Sequence, residues 1–412
     1  MKIAFIAGRD IREQNDTDGA TVLIRNLAEF LAIRGHTVNI YTPGQYKGGA
    51  YRKKVQRQDK TDTSSLHANI QFTEFFSSSV ADIAPTNDPA QYFLNRISIS
   101  MEEADFFSGQ NLHQYDCIYI FHVAHTFGLI AKDLLPINKT ILFPMMLGVY
   151  YRMFMPVPDE YIERERKALK KLLHVSSPSS AELDLLKNEY GIDDQCLFKI
   201  HRGYNNGIFA PYARTRINDN KPVHLVCANV VRPQKGQSFF IALAEYARDH
   251  GQSFIIHLVG VNGKTHSDWY NEYANALMRE IDARGLKDFF KIHNVMTQEE
   301  LAAIMRMCDV ALYPSIIETF GKSSLESVVS GLPTIVFGDV PAFTEYLTDR
   351  LTGMRIQRTV IAAYETVVEL IKDTELYSSI SNNGIAEASL FTWEHVFSQM
   401  LSDQKKRGFD DL

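Results

Sequence analysis

The chain lacks most of the features that make an assignment quick. Its four cysteines, Cys117, Cys196, Cys227 and Cys308, are widely spaced and form no C-x-x-C pair. That spacing suits a reducing compartment and offers no zinc framework. No apolar run approaches the roughly 18 residues that a membrane span needs. Positive charge is in deficit, with 43 Lys and Arg against 49 Asp and Glu and a formal net charge of −6, which argues against a general nucleic-acid binder. The opening MKIAFIAGRD has no small-residue cleavage site and reads as a first strand, so a cytoplasmic location is expected. Two nucleotide signatures also fail. The loop after that strand holds only Gly8 and, later, Gly19, which excludes the G-x-G-x-x-G of a dinucleotide site. In GVNGKTH the first glycine of a P-loop would fall on Leu258, inside a strand.

What is present is regular. With 412 residues, 45% hydrophobic and 22% charged, the chain has the composition of a globular protein and the length of two or three domains. Lys2 to Ala7 is a buried strand, and after a polar loop Leu23, Leu27, Phe30 and Leu31 form the stripe of an amphipathic helix. The strand TVNIYTP follows, giving the β-loop-α-β start of a doubly wound parallel sheet. Gln45 to Ser108 is less regular. The basic run Tyr51 to Lys60 reads as a solvated loop, with peripheral membrane contact as a second reading. His201 to Pro222, rich in Gly, Pro, Asn and charge, reads as an interdomain linker, after which the βα alternation starts afresh. The fold class expected is α/β, with two doubly wound Rossmann-like domains facing a central cleft.

The stretch ETFGKSSLE, Glu318 to Glu326, lies between the strand-like DVALYPS and a helix. That order presents polar loops at strand carboxyl ends, so two carboxylates and a run of small residues are aimed at one ligand. A second reading of the same residues is local: Ser323 and Glu326 form S-x-x-E, a capping box.

CANVVRPQKGQ, FIIHLVG, HNVMTQEELAAIMRMCDVALYPSIIETFGKSSLESVVSGLPTIVF and FTEYLTDRLTGMRI, in that order, resemble the donor domain of retaining glycosyltransferases of family four, which have the GT-B fold. DGATVLIRNLAEFLAIRGHTVNIYTP is similar to that family's glycine loop, first helix and second strand. The resemblance implies an acceptor-side domain over residues 1–205, a nucleotide-sugar donor domain over 206–385, and a final helix within 386–412 packing back on the first domain. It implies a metal-independent transfer with no cofactor, the nucleoside-diphosphate sugar being a co-substrate. The acceptor would be a carbohydrate, a lipid-linked sugar or another hydroxyl compound.

By the same resemblance Glu326 meets the nucleotide ribose and Glu318 the sugar hydroxyls and reacting centre. The amides of Phe320, Gly321, Lys322, Ser323, Ser324 and Leu325 would face sugar or phosphate at a helix start. Lys235, in PQKG, is the phosphate cation. The family's arginine five positions earlier is replaced by Val230, leaving Arg232 as its substitute. Gly19 corresponds to the amino-domain glycine near the diphosphate, and Asn294 and Val295 to backbone that meets the base. The histidine usual after the strand KTILFP is absent, Met145, Met146 and Leu147 standing there, so His122 is the histidine expected to assist, with His125 close behind. Two other functions fit the same residues: a sugar-nucleotide epimerase of the same fold, and a non-catalytic nucleotide-sugar-binding subunit.

Overall fold

A computed structural model describes residues 1–8, 11, 19–43, 66–75, 88–145, 147–215, 222–261 and 268–409. The basic run Tyr51 to Lys60, Asp18 and the Gly263 to Thr265 segment lie outside the described residues. The chain divides into two compact units, Met1–His201 with Trp393–Leu412, and Arg202–Thr392.

The first unit is built on seven parallel strands: β1 (Lys2–Ile6), β2 (Thr37–Pro43), β3 (Ile70–Phe75), β4 (Cys117–Phe121), β5 (Thr140–Phe143), β6 (Val175–Ser177) and β7 (Leu197–Lys199). Their order is β3-β2-β1-β4-β5-β6-β7. In the interior strand β1, Ile3, Ala4, Phe5 and Ile6 are all fully buried, as a strand covered on both faces requires. Its helices are α1 (Gly19–Ile33), α2 (Pro89–Ser108), α3 (Thr126–Ala131), α4 (Gly148–Tyr151), α5 (Asp159–Lys171) and α6 (Ser180–Tyr190). In α1 the predicted stripe of Leu23, Leu27, Phe30 and Leu31 is buried. Helix α2 runs through the stretch that the sequence presents as irregular. Asp88 caps it, its side chain accepting from the Ala90 amide, and Pro89 opens its first turn.

The second unit alternates β8 (Val223–Ala228), α7 (Phe239–Asp249), β9 (Phe254–Val259), α8 (Asp268–Ala283), β10 (Phe290–His293), α9 (Gln298–Met307), β11 (Val310–Tyr313), α10 (Lys322–Val329), β12 (Thr334–Phe337) and β13 (Met354–Ile356). Helices α11 (Val360–Lys372) and α12 (Thr374–Ala388) follow. The six strands are parallel in the order β10-β9-β8-β11-β12-β13. The last helix, α13 (Trp393–Lys405), belongs to the first unit. Trp393 and Phe397 pack in its core, and the Tyr119 hydroxyl donates to Gln404 Oε1 at 2.8 Å. Each sheet reverses its winding once, between β1 and β4 and between β8 and β11. Loops at the carboxyl ends of these pairs form the crevice where α/β sheets take ligands.

Candidate active site

At the β8/β11 crevice two loops are tied together. The strand β11 is fully buried and hands over to Pro314 and Ser315, while β8 hands over to the segment Asn229–Lys235. The Ile316 amide donates to Gln234 O at 2.9 Å, joining the loops through their backbones. Across this join Lys235 Nζ donates to Glu318 Oε1 at 2.7 Å, and Ser315 Oγ donates to the same oxygen at 2.8 Å. The Glu318 side chain is only 8% exposed and that of Lys235 20%. An ammonium has three donors, and among the described residues only Glu318 accepts from Lys235 Nζ, so two N–H are left for a ligand. Beneath the pair, burial pushes the Cys227 thiol well up, which leaves it inert as a nucleophile.

Two side chains outside the sequence expectations shape these loops. Gln237 is fully buried; its amide donates to Val230 O at 3.1 Å, and its Oε1 accepts from the Arg232 amide at 3.3 Å. Arg358 donates to Pro314 O at 3.1 Å and Ser315 O at 2.8 Å, forks onto both oxygens of Asp339 at 2.7 Å, and lies 4.3 Å from the centre of the Phe337 ring. The loops after β11, β12 and β13 are thereby clamped together. Neither role leaves a pattern in the sequence, because most of the acceptors are main-chain carbonyls.

The start of α10 departs from the capping reading. Gly321 is the N-cap, at φ 87° with no side-chain cap bond, so Ser323 and Glu326 both lie inside the helix and form no capping box. A true box does exist one helix earlier. There Thr297 Oγ1 accepts from the Glu300 amide at 3.2 Å, and Glu300 Oε2 accepts from the Thr297 amide at 2.8 Å. Only glycine suits position 321, because a Cβ there would come 2.5 Å from Phe343 Cε1 in a left-handed backbone. Glu326, 3% exposed, instead forms an ion pair with Lys322.

Five of the six amides expected to face a phosphate, those from Gly321 to Leu325, divide in two. Those of Ser324 and Leu325 are spent on Gly321 O at 3.0 and 3.1 Å. Those of Gly321, Lys322 and Ser323 have no acceptor among the described residues and stand at the positive end of the helix. The Ser324 hydroxyl bonds Gly321 O at 2.7 Å and the Tyr346 hydroxyl, and the Phe320 and Leu325 side chains are core. Burial pushes the Tyr346 phenol far up against its hydrogen bond with Ser324, and the Glu318 and Glu326 carboxylates add smaller raising effects.

Asn294 and Val295 follow β10, and Val295 is exposed. The strand end beside them is held by His293 O, which accepts from the Gly260 and Val261 amides at 2.9 and 3.1 Å. On the same sheet His224, His257 and His293 form a chain of imidazoles at 2.9 and 3.1 Å. Burial, then the neighbouring His224 and His293, hold His257 down at about 4. Among the described residues no group of three or more His, Cys, Asp or Glu side chains converges to hold a metal ion.

In the first unit Gly19 is the exposed first residue of α1, and nothing within 4 Å would oppose a side chain there. His122 ends β4 at φ 101°, and its Nδ1 accepts from the Ala124 amide at 3.1 Å. His125, three residues on, is buried with its Nδ1 2.8 Å from Glu103 Oε2. The sequence offered no sign of Glu103, which sits in a helix it did not show.

Two parallel doubly wound units, each with its crevice at one reversal of the sheet, constitute the GT-B fold. Residues 213–387 match the family described as Glycosyl transferases group 1. Over 407 residues the chain is 24% identical to the mannosylfructose-phosphate synthase of Agrobacterium fabrum strain C58, covering 94% of this chain and 86% of that one. Among solved structures it superposes on the sucrose-phosphate synthase of Thermosynechococcus elongatus with a TM-score of 0.76 at 17% identity, over 98% of both chains. It superposes on Anabaena HepE in complex with UDP and glucose with a TM-score of 0.70 at 15% identity, over 98% of this chain and 100% of that one.

Proposed function

We propose that the protein is a retaining, metal-independent glycosyltransferase of family four that moves a sugar from a nucleoside-diphosphate sugar to a hydroxyl acceptor in polysaccharide, glycolipid or glycoconjugate synthesis. The observation that carries this reading is the Lys235–Glu318 contact of 2.7 Å, made by two loops at the carboxyl ends of the strands that flank the sheet's reversal. HepE, which shares the fold, was solved with UDP and glucose, and the Agrobacterium relative is named for a sugar phosphate product.

In this mechanism Glu318 addresses the hydroxyls of the transferred sugar while its other contacts keep Lys235 close. Two open N–H of Lys235 and the amides of Gly321 to Ser323 stabilise charge developing on the leaving diphosphate, where preorganised donors are most effective. Arg232 stands in the same loop as Lys235, and the backbone at Asn294 and Val295 is assigned to the base. Glu326 accepts from the ribose, exchanging its Lys322 contact for the ligand. Retention follows if the acceptor hydroxyl approaches beside the departing phosphate, which takes its proton.

The test is a thermal-shift screen of UDP, GDP and ADP and their common sugar conjugates. One nucleotide should stabilise the protein clearly above the other two; no stabilisation by any of them overturns the reading.

A further inference from the structure

Lys322 is a cation where helix physics disfavours one. Among the described α-helices it is the only Lys or Arg in a first turn. Elsewhere the chain keeps to the opposite rule: Asp159 and Glu160 open α5, which closes on Lys170 and Lys171, and Glu299 and Glu300 open α9, which closes on Arg306. Those charges complement the helix dipole at both ends. At the start of α10 the sign is reversed. The ammonium is added to the positive end, where the amides of Gly321, Lys322 and Ser323 already lack an acceptor among the described residues. Its ion pair with Glu326 also runs in the weaker direction, because an i,i+4 pair is better with the acid nearer the amino end. Two local preferences are broken by one residue, so its place is explained by something other than the stability of α10.

In an α-helix every Cα–Cβ bond tilts towards the amino end. Glu326 therefore reaches back one turn, while Lys322 is rooted at the helix start, beside the three free amides. Its Nζ is instead drawn to Glu326 Oε1. The Lys322 side chain is 16% exposed and that of Glu326 3%, so the pair is largely desolvated and each partner neutralises the other. A hydroxyl that donates to Glu326 must compete with this ammonium. An uncharged nucleoside brings hydroxyls and offers nothing to the cation that it displaces. A nucleoside diphosphate brings an anion to the helix start as well, so one ion pair is exchanged for another.

We propose that Lys322 is a selectivity residue: it shields Glu326 from ligands that bring hydroxyls without phosphate, and passes its ammonium to the diphosphate when a whole nucleoside diphosphate enters. The inference rests on the donor-site reading above and adds a control exerted on that site by its own ion pair. The probes are uridine with UDP, guanosine with GDP and adenosine with ADP, used as the pair whose diphosphate binds the wild-type protein. Affinities are measured by titration calorimetry. Lys322→Met should tighten the nucleoside by about threefold, since its competitor is gone, and weaken the diphosphate by about tenfold, the loss of one charge-assisted hydrogen bond. The preference for diphosphate over nucleoside then falls about 30-fold. Lys322→Gln, a second neutral variant, should lower the preference in the same way, and Lys322→Arg, which keeps the charge, should retain it to within about threefold. A merely structural ion pair would instead lower the unfolding midpoint and leave the preference where it was. The inference is overturned if a folded neutral variant keeps the wild-type preference, or if both ligands shift in the same direction. Diphosphate binding with an unchanged preference overturns this inference alone, whereas a wild-type protein that binds none of the six probes overturns the donor reading and this inference with it.

Discussion

The two sheets reverse their winding in the same way and furnish the two crevices by opposite means. In the second unit the polar groups lie on loops and at the start of a short helix, and they come as charges: Lys235 with Glu318, Lys322 with Glu326. In the first unit a long helix reaches over the sheet and presents one buried Glu–His pair against a glycine. Partly exposed ion pairs at a helix start suit an anionic ligand that displaces solvent and counter-charges. The same topology thus furnishes two chemically different crevices.

Three measurements would break or sharpen that contrast. The largest effect belongs to Lys235→Ala, which should cut turnover by roughly 100-fold or more, as for loss of a preorganised transition-state donor, with the unfolding midpoint little changed. Near-normal rates at saturating donor would remove charge stabilisation from the second crevice. Next is Glu326→Gln, expected to weaken the bare nucleoside diphosphate by about tenfold, since a ribose hydroxyl loses its charged acceptor. Unchanged nucleotide affinity would confine Glu326 to its contact with Lys322.

The smallest effect is a difference in pH response between the units. Burial raises Glu165, in the first unit, from 4.5 to about 7 against the lowering pull of the Tyr190 hydroxyl and the Gly148 amide. The folded protein then holds a proton that the unfolded chain has released, so this contribution is full below about pH 4.5 and is lost as pH rises towards 7. His257, in the second unit, is lowered from 6.5 to about 4. Its contribution is full above pH 6.5 and is lost as pH falls towards 4. Between those limits the first unit should weaken with rising pH and the second with falling pH. Hydrogen exchange of amides in β1 and β8, followed across this range, should show opposite trends; parallel trends would contradict the assignment.

The sequence carried the second crevice further than the first, for physical reasons. Glu318, Gly321 and Glu326 lie within one short stretch whose strand, loop and helix can be read from apolar runs and a glycine. Lys235 was legible as a residue, but its partner was not, because the contact closes 83 positions of chain. Ser323 and Glu326 have the spacing of a capping box and do not form one, since the left-handed turn at Gly321 starts the helix two residues before Ser323. Helix α2 went unseen because two of its inward positions are Ser100 and Glu103, polar residues that interrupt the stripe of Phe93, Ile97, Ala104 and Phe107. The polar residues that hide the helix are the same ones that clasp His125 and Gly128. Arg358 could not be read at all, since carbonyl oxygens of Pro314 and Ser315 are available in any sequence.

The return of α13 to the first unit has a consequence for the order of synthesis. The second unit is one unbroken segment, Arg202–Thr392, whose core is complete once that segment has left the ribosome. The first unit begins earlier and finishes later. Until Trp393, Phe397 and Gln404 emerge, the ring of Phe30 lacks a neighbour and the Tyr119 hydroxyl, inside the sheet, lacks its acceptor. Although domains usually mature in the order they are made, here the amino-terminal one is the last to close.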